Sequence, residues 1–258
     1  MNEPVVSPPD PPRPASSLFS RLTNIFAAPG EVYDEVKASP PSTANWLMPA
    51  LVLILVSWVG AWLVLSQDTV KQQLSDITSK AIEKQIEKSR VPKAQAEAAR
   101  QAGEKWGSIG MKVSMVAGPV VMAFASPFWW GLILWLGAKV FKGNIGFMKA
   151  VEVAGLANMI VALEAIVRIL LIVSMGNLFA SLSPVLLIKE FDPNNTLHGI
   201  LAAFNLVVLW ALAVKSVGLA RLCGVSFGRA AAWVFGIWAA YTAFFIGLGV
   251  AIRAVTGQ

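Results

Sequence analysis

Three ionisable residues, Glu152, Glu164 and Arg168, fall inside one apolar stretch of the sequence. A charge in a bilayer is costly, so such groups usually face the interior of a helix bundle, where they pair or serve a proton or ion pathway. Glu164 and Arg168 lie on one face of a helix and can neutralise each other locally. Glu152 lies near the start of the stretch and can reach water. The pattern favours structural pairing, with transport as the alternative.

Two further polar residues fall in apolar stretches. Asn158 can hydrogen-bond to a neighbouring helix. Lys215 lies near the end of its stretch, so its long stem can carry the ammonium to the membrane interface. Both are therefore candidates for contacts between helices or with lipid headgroups.

Metal and nucleophile chemistry has little to build from in this sequence. His198 and Cys223 are the sole histidine and the sole cysteine, whereas a zinc site needs several such ligands. Residues 192–195 predict a turn rather than a calcium loop. The sequence contains no phosphate-binding loop, nucleophile elbow or HExxH motif. We therefore expect no catalytic residues, no cofactor, no metal site and no enzymatic activity.

The composition indicates what kind of scaffold must position these residues. The chain has 258 residues, of which 56% are hydrophobic and 14% charged, and its mean hydropathy is +0.63. Soluble domains carry about 25% charged residues, so this chain has too few to cover a water-facing surface. The apolar content excludes a disordered chain, and one cysteine excludes a disulfide scaffold. We predict an all-α polytopic membrane protein.

Five apolar stretches are long enough to cross a bilayer as helices. The second contains Pro119 and Pro127, which predict a kink. A further uncharged segment, 169–188, is interrupted by polar residues, glycine and proline, and we interpret its second half as interfacial or re-entrant, with a sixth span as the alternative. The predicted spans cover residues about 46–66, 113–138, 150–175, 197–220 and 230–252.

Three segments lie outside these spans of the membrane domain 46–252. Residues 1–17 are proline-rich and predict a disordered tail, with docking of an SH3-like partner as the alternative. Residues 18–45 predict an interfacial amphipathic helix, ended by Pro29 and Gly30, and a turn. The insert 67–112 holds nine Lys/Arg and six Asp/Glu on amphipathic helices. It is either a solvated hairpin or a docking surface for a partner helix or lipid headgroups.

A stripe of small residues runs along the last span. Small residues let helices approach closely, so the stripe predicts a helix–helix seam. We favour a seam within the chain over one between copies, which would make the protein a homo-oligomer. The stripe consists of Gly236, Ala240, Ala243 and Gly247.

Basic residues set the expected orientation and partners. The later loops favour a cytoplasmic N-terminus, although the insert's nine basic residues make the charge count alone indecisive. The isoelectric point is about 9.6, but the basic residues flank apolar helices, so membrane lipids are nearer partners than nucleic acid.

Three segments carry a resemblance to a known family: LTNIFAAPGEVYDEV (22–36), FKGNIGFMKAVEVAGLANMI (141–160) and WALAVKSVGLARLCGVSFGRAAAWV (210–234). The chain resembles the Yip (Ypt-interacting protein) domain family of five-span membrane proteins, in its bacterial branch. The resemblance implies a cytoplasmic N-terminus, an extracytoplasmic C-terminus, no enzymatic activity and a role in membrane trafficking or organisation. The Asp-Leu-Tyr-Gly-Pro signature of eukaryotic members is absent, which argues against binding to Rab-type GTPases. Asn158 stands where members often have proline, so the third span should be straighter.

We therefore predict a non-enzymatic membrane scaffold or adaptor of the bacterial inner membrane. Its protein partners would bind through 67–112 or the N-terminal tail. The alternative is a small transporter or channel using the charges of the third span and the broken region 177–184. An intramembrane enzyme is the weakest hypothesis.

Overall fold

The computed structural model describes residues 16–88, 93–188, 191–192 and 194–256, and all regular structure within these ranges is helical. The all-α prediction is confirmed. The predicted tail, up to residue 15, and the predicted helix break at Pro92 lie outside the described residues. The α-helices are α1 Leu18–Asn24, α2 Pro29–Ala38, α3 Ala44–Ser66, α4 Asp68–Lys88, α5 Lys93–Val140, α6 Phe147–Met175, α7 Thr196–Ala203, α8 Leu206–Cys223 and α9 Phe227–Thr256.

Five helices within the described ranges are long and apolar enough to cross a bilayer: α3, α5, α6, α8 and α9. This confirms the prediction of a five-span membrane protein. We call the end of the bundle where α3 and α6 begin the proximal end, and the opposite end the distal end. The α6 helix is central, since α3, α5 and α8 all pack against it, whereas α9 lies at the periphery against α8 and α5.

Glycines allow the central helix to approach its neighbours. A Cβ on Gly155 of α6 would overlap Trp46 of α3, and a Cβ on Gly218 of α8 would overlap Val153 of α6. These close approaches set the register of the bundle. They bring the start of α3 against the proximal part of α6, and the proximal part of α8 against the same region.

The helix that contains the second span is longer than predicted, because α5 is one helix of 48 residues. At about 1.5 Å per residue it measures roughly 72 Å, more than twice the thickness of a bilayer core. Its first part is the second helix of the predicted insert, and its last part is the predicted span 113–138. Pro119 and Pro127 lie inside the helix without ending it. Trp58 of α3 donates from Nε1 to the Val116 carbonyl near the first proline, at 3.0 Å.

The insert is a helical hairpin made of α4 and the first part of α5. The two helices run antiparallel, with Arg100 Nη2 3.3 Å from Glu83 Oε1. Gly107 faces Thr78, and an added Cβ there would lie 3.5 Å from its methyl group. This is an ordinary van der Waals distance, so the two helices are in contact at this level.

The base of this hairpin is fastened to the distal end of the bundle. Gly176 ends α6 in the left-handed region, with φ of +61°. The Gln73 amide of α4 donates to the Gly176 carbonyl at 2.7 Å and accepts from the Leu178 N–H at 3.1 Å. Val70 is buried beside Ile172, so apolar packing adds to these hydrogen bonds.

The predicted fourth span, 197–220, is divided into α7 and α8. The division lies at Asn205, whose side chain accepts from the N–H groups of Val207 and Val208 and so begins a new helix. The distal segment 176–195 contains a 3₁₀ turn, Pro184–Leu187, but no spanning helix among its described residues. The membrane-crossing part of this stretch therefore starts at Leu206 rather than at residue 197.

The N-terminal region differs from the expected single surface helix. Pro29 does not end a helix but occupies the first position of α2, where its missing N–H costs nothing. Val32, Tyr33 and Val36 of α2 are buried against the bundle, whereas Phe19 of α1 is largely exposed. Of the apolar residues of the predicted surface helix, Phe19 stays exposed, whereas Ile25 is buried and Leu22 and Phe26 pack against the core.

Candidate functional site

Glu152 lies in a buried contact at the proximal end of the bundle, which we call the proximal polar cluster: Asn45, Lys149 and Glu152. The Glu152 side chain is only 1% exposed. Lys149 Nζ lies 3.1 Å from Glu152 Oε1, and Asn45 Nδ2 donates to Glu152 Oε2 at 2.6 Å. The expectation that Glu152 reaches water is therefore wrong. The close approach at Gly155 brings the first turn of α3 over the carboxylate.

Some polar atoms around this cluster lack a hydrogen-bond partner among the described residues. They include Asn45 Oδ1, Trp46 Nε1 and Asn158 Nδ2. Asn158 is buried, and its Oδ1 lies 3.4 Å from Ser126 Oγ of α5. Asn158 therefore contacts a neighbouring helix, as its residue type suggests, but no described hydrogen bond joins it to Glu152. The polar groups form separate contacts rather than one chain of hydrogen bonds.

Glu164 of α6 lies beside Asn205, the residue that directly precedes α8. Arg168 Nε is 3.6 Å from Glu164 Oε1, and Asn205 Nδ2 donates to the same oxygen at 2.9 Å. Arg168 is half-exposed, so the rest of the protein covers only part of its side chain. Because Asn205 directly precedes α8, the acid and its partners lie where that span begins. The close approaches of Gly155 to Trp46 and of Gly60 to Ile169 put Glu164 level with about the middle of α3, so this acid lies well inside the length of the bundle.

Lys215 does not extend to the interface as expected. Its side chain is buried within the bundle at 2% exposure, and Nζ lies 5.1 Å from the ring centroid of Trp130. A cation above an aromatic face gains electrostatic attraction from the ring. The proximal part of α8 is covered by α2, with Tyr33 against Gly218. This packing explains why the lysine stem does not run along the surface of α8.

The α2 helix is attached to the bundle by polar contacts that sequence reasoning missed. The Tyr33 hydroxyl donates to the Val153 carbonyl of α6 at 3.2 Å. Lys37 Nζ donates to the Arg221 carbonyl at 2.9 Å, and Arg221 Nη1 lies 3.0 Å from Asp34 Oδ2. Burial raises the pKa of Tyr33 above its ordinary value. The signal was the spacing of Val32, Tyr33 and Val36, which predicts one apolar helix face.

The small-residue stripe of α9 faces away from the rest of the chain. Its four residues are exposed, and nothing in the described chain lies within 4 Å of a Cβ added at Gly236 or Gly247. The favoured seam within the chain is therefore not formed. A seam between copies stays a prediction.

The remaining reactive residues lie apart. His198 Nδ1 accepts from the Asp192 N–H at 3.0 Å, and its ring stacks on Phe191. Cys223 is a free thiol at the end of α8. Within the described residues, no three His, Cys, Asp or Glu side chains are grouped so that they could hold a metal ion. The polar contacts of Glu152, Glu164 and Tyr33 instead join one helix to another.

Comparison with known proteins identifies one match. The family model described as the Yip1 domain matches residues 23–249, from the end of α1 to the last turns of α9. No curated protein and no solved structure gives a significant match to the chain.

Proposed function

The chain belongs to the Yip1 domain family, and from this premise we propose that it is a non-enzymatic membrane scaffold or adaptor that binds a protein partner through the α4–α5 hairpin. One contrast carries the proposal. The polar side chains of the spanning helices are used in contacts between helices, as at Asn45–Glu152 and Asn205–Glu164. The hairpin instead presents a charged surface outside the bundle.

The hairpin combines charge with exposed apolar residues in a way that suits protein binding. Trp106 is 68% exposed, and Ile77 and Ile109 are also exposed. Because Gly107 faces Thr78, these three side chains lie at about the same level along the hairpin. Tryptophan is enriched among the residues that dominate binding energy at protein interfaces. The attachment at Gln73 supports such a surface with a fixed base.

The orientation is also a proposal, and it is supported by the basic residues outside the 67–112 insert. Lys37, Lys149, Arg221 and Arg229 lie at or beside the proximal ends of their helices, and Lys139 and Lys142 lie where α5 ends. Short cytoplasmic segments collect lysine and arginine, which supports a proximal end in the cytoplasm. The hairpin would then lie outside the cytoplasm, and a bacterial inner membrane is the location that we propose.

Site-specific photocrosslinking in intact cells tests the partner. A photoreactive phenylalanine analogue placed at Trp106 should give discrete protein adducts, and the same probe at the exposed Phe244 of α9 should give none of them. A double variant, Ile77→Ser with Ile109→Ser, should abolish the adducts formed from position 106. Identical adducts from both probe positions, or adducts that survive the double variant, would overturn the proposal.

A transport role for the third span makes a different prediction. Purified protein in liposomes would move ions or small solutes at a rate that depends on Glu164. We expect no flux above that of empty liposomes, because the acid is already engaged by Asn205 and Arg168. Flux that Glu164→Gln removes, in protein of normal thermal stability, would favour the transporter instead.

A further inference from the structure

Two cavities meet where the hairpin joins the spanning part of the protein. The upper cavity, of about 470 Å³, lies between α4 and α5, and its lining includes hydroxyl groups of Ser75, Thr78 and Ser108. The lower cavity, of about 350 Å³, lies between α3 and α5 and is lined by apolar side chains that include Trp58 and Trp62. Leu65, Lys112 and Met115 line both cavities. Together they form one mostly apolar groove, in which the polar side chains lie at and above Lys112.

We propose that this groove, which we call the hairpin groove, binds one anionic phospholipid, with an acyl chain along Trp58 and Met115 and the phosphate at Lys112. The proposal rests on the placement of the hairpin at the membrane surface that the proposed function assumes, and it adds a lipid partner to that function.

The depth of the groove matches the layers of a lipid. Lys112 is the last charged residue before the apolar part of α5, which runs uncharged to Lys139. Trp58 lies about 12 Å inward from Ser66, the end of α3, at a rise of about 1.5 Å per residue. The upper cavity therefore lies at headgroup level and the lower cavity at acyl-chain level. Tryptophan and lysine are typical of that boundary.

Charge complementarity identifies the headgroup. Among the described residues, Lys112 has no acidic side chain within ion-pair distance, whereas Lys71 is paired with Asp68 at 2.9 Å. Glu104 also lines the upper cavity, so the groove has no general excess of positive charge. The negative group of the ligand is therefore assigned to Lys112. A phosphodiester supplies the missing counter-charge, and it can accept a hydrogen bond from Ser75, whereas the Thr78 and Ser108 hydroxyls already donate to the Leu74 and Lys105 carbonyls.

The open side of the lower cavity favours lipid over a protein helix. Trp58 and Trp62 are exposed, and they lie on a helix that crosses the bilayer. An acyl chain lying between their rings and α5 would contact defined side chains, unlike the exchanging lipid around the rest of the bundle. The charge at Lys112 then selects which lipid stays.

Native mass spectrometry of the full-length protein tests this site. The protein is purified in detergent and incubated with an equimolar mixture of dioleoylphosphatidylglycerol and dioleoylphosphatidylcholine. We expect one phosphatidylglycerol retained per chain, preferred at least about fivefold, the ratio that corresponds to about 1 kcal/mol per lysine at a membrane surface. Equal retention of the two lipids would overturn the proposal.

Two pairs of variants separate charge from cavity. Lys112→Gln should abolish the preference, whereas Lys105→Gln, on the same helix but outside the groove lining, should keep it. Ala61→Trp fills the lower cavity and should reduce retention of both lipids at least fivefold. Val121→Trp, at an exposed position of α5, should not. Retention unchanged in Lys112→Gln or in Ala61→Trp would contradict the assignment.

The two proposals fail separately. Loss of lipid selectivity without loss of the photocrosslinked adducts would remove the lipid site and leave the scaffold role. Loss of the adducts with intact lipid selectivity would do the reverse.

Discussion

The Asn205 side chain connects the start of α8 to Glu164: Nδ2 donates to Glu164 Oε1 at 2.9 Å, while Oδ1 accepts from the backbone of Val207 and Val208. One amide thus begins a spanning helix and supplies a hydrogen bond to a membrane-embedded acid. The same residue explains why the predicted fourth span is divided.

We expect Asn205→Ala to destabilise the protein more than Asn195→Ala, which removes the N-cap of the exposed helix α7. Each variant loses a cap worth about 1 kcal/mol, but only the first also withdraws the donor from Glu164. Thermal unfolding in detergent micelles measures the difference. Equal losses in the two variants would mean that the contact with Glu164 contributes nothing.

The proximal polar cluster predicts a non-additive pair. Lys149→Met and Glu152→Gln each leave one member of a buried ion pair without its partner, at a cost of about 3 kcal/mol. The double variant should lose clearly less than the sum of the two, because it leaves no unpaired charge. Denaturant titration in mixed micelles gives the free energies of unfolding. Arg100→Gln and Glu83→Gln, from an exposed pair, are controls that should each change stability by less than about 1 kcal/mol.

Tyr33→Phe should lower stability by about 1 kcal/mol, the usual contribution of one hydrogen bond, because only the bond to the Val153 carbonyl is lost. Tyr33→Ala should cost about 3–5 kcal/mol, because it also leaves a cavity under α2. Tyr241→Phe, at an exposed position of α9, should have no effect. Equal unfolding temperatures for Tyr33→Phe and the parent protein would mean that the hydrogen bond to Val153 contributes nothing to stability.

Stability should also fall with rising pH through the ionisation of Tyr33. Burial raises its pKa in the folded state, so the folded protein holds the phenolic proton where the unfolded chain, with an ordinary pKa of 10.0, releases it. The contribution is complete below pH 10 and is lost as the pH rises above that value. Unfolding temperatures measured from pH 8 to 11 should therefore decline less steeply in Tyr33→Phe than in the parent protein.

Glycines at close approaches should differ sharply from glycines in open space. Gly155→Ala should destabilise the protein strongly, since the added Cβ overlaps Trp46 where α3 meets α6. Gly249→Ala, in α9 with nothing within 4 Å of the added Cβ, should stabilise its helix by about 0.5–1 kcal/mol. Unfolding temperatures that shift in the same direction for both variants would contradict the packing of α6 against α3.

The sequence predicted the five spans and the all-α class because long apolar stretches have few alternatives in a bilayer. It did not predict that α5 runs unbroken from the hairpin into the second span. The helix formers of the insert and the apolar residues of the span look like separate segments when judged by hydropathy. Only their shared helical backbone joins them.

Candidate residues were harder to place, because burial depends on neighbours distant in sequence. Glu152 was expected to reach water from its position near a helix start, but Asn45, 107 residues away, covers it. The Gly236–Gly247 stripe predicted a seam, yet the spacing of small residues does not say which helix lies opposite. Tyr33 and Asn205 were overlooked because each acts through one tertiary hydrogen bond.

The continuity of α5 has a mechanical consequence. A force applied at the hairpin is transmitted along one continuous helix, α5, to the proximal end of the bundle, because no loop interrupts it. Pro119 and Pro127 lack the N–H that would brace the backbone, so bending is concentrated at these two pivots within the membrane. Under the proposed function, a partner pulling on the hairpin would change the tilt of α5 against α3 and α6.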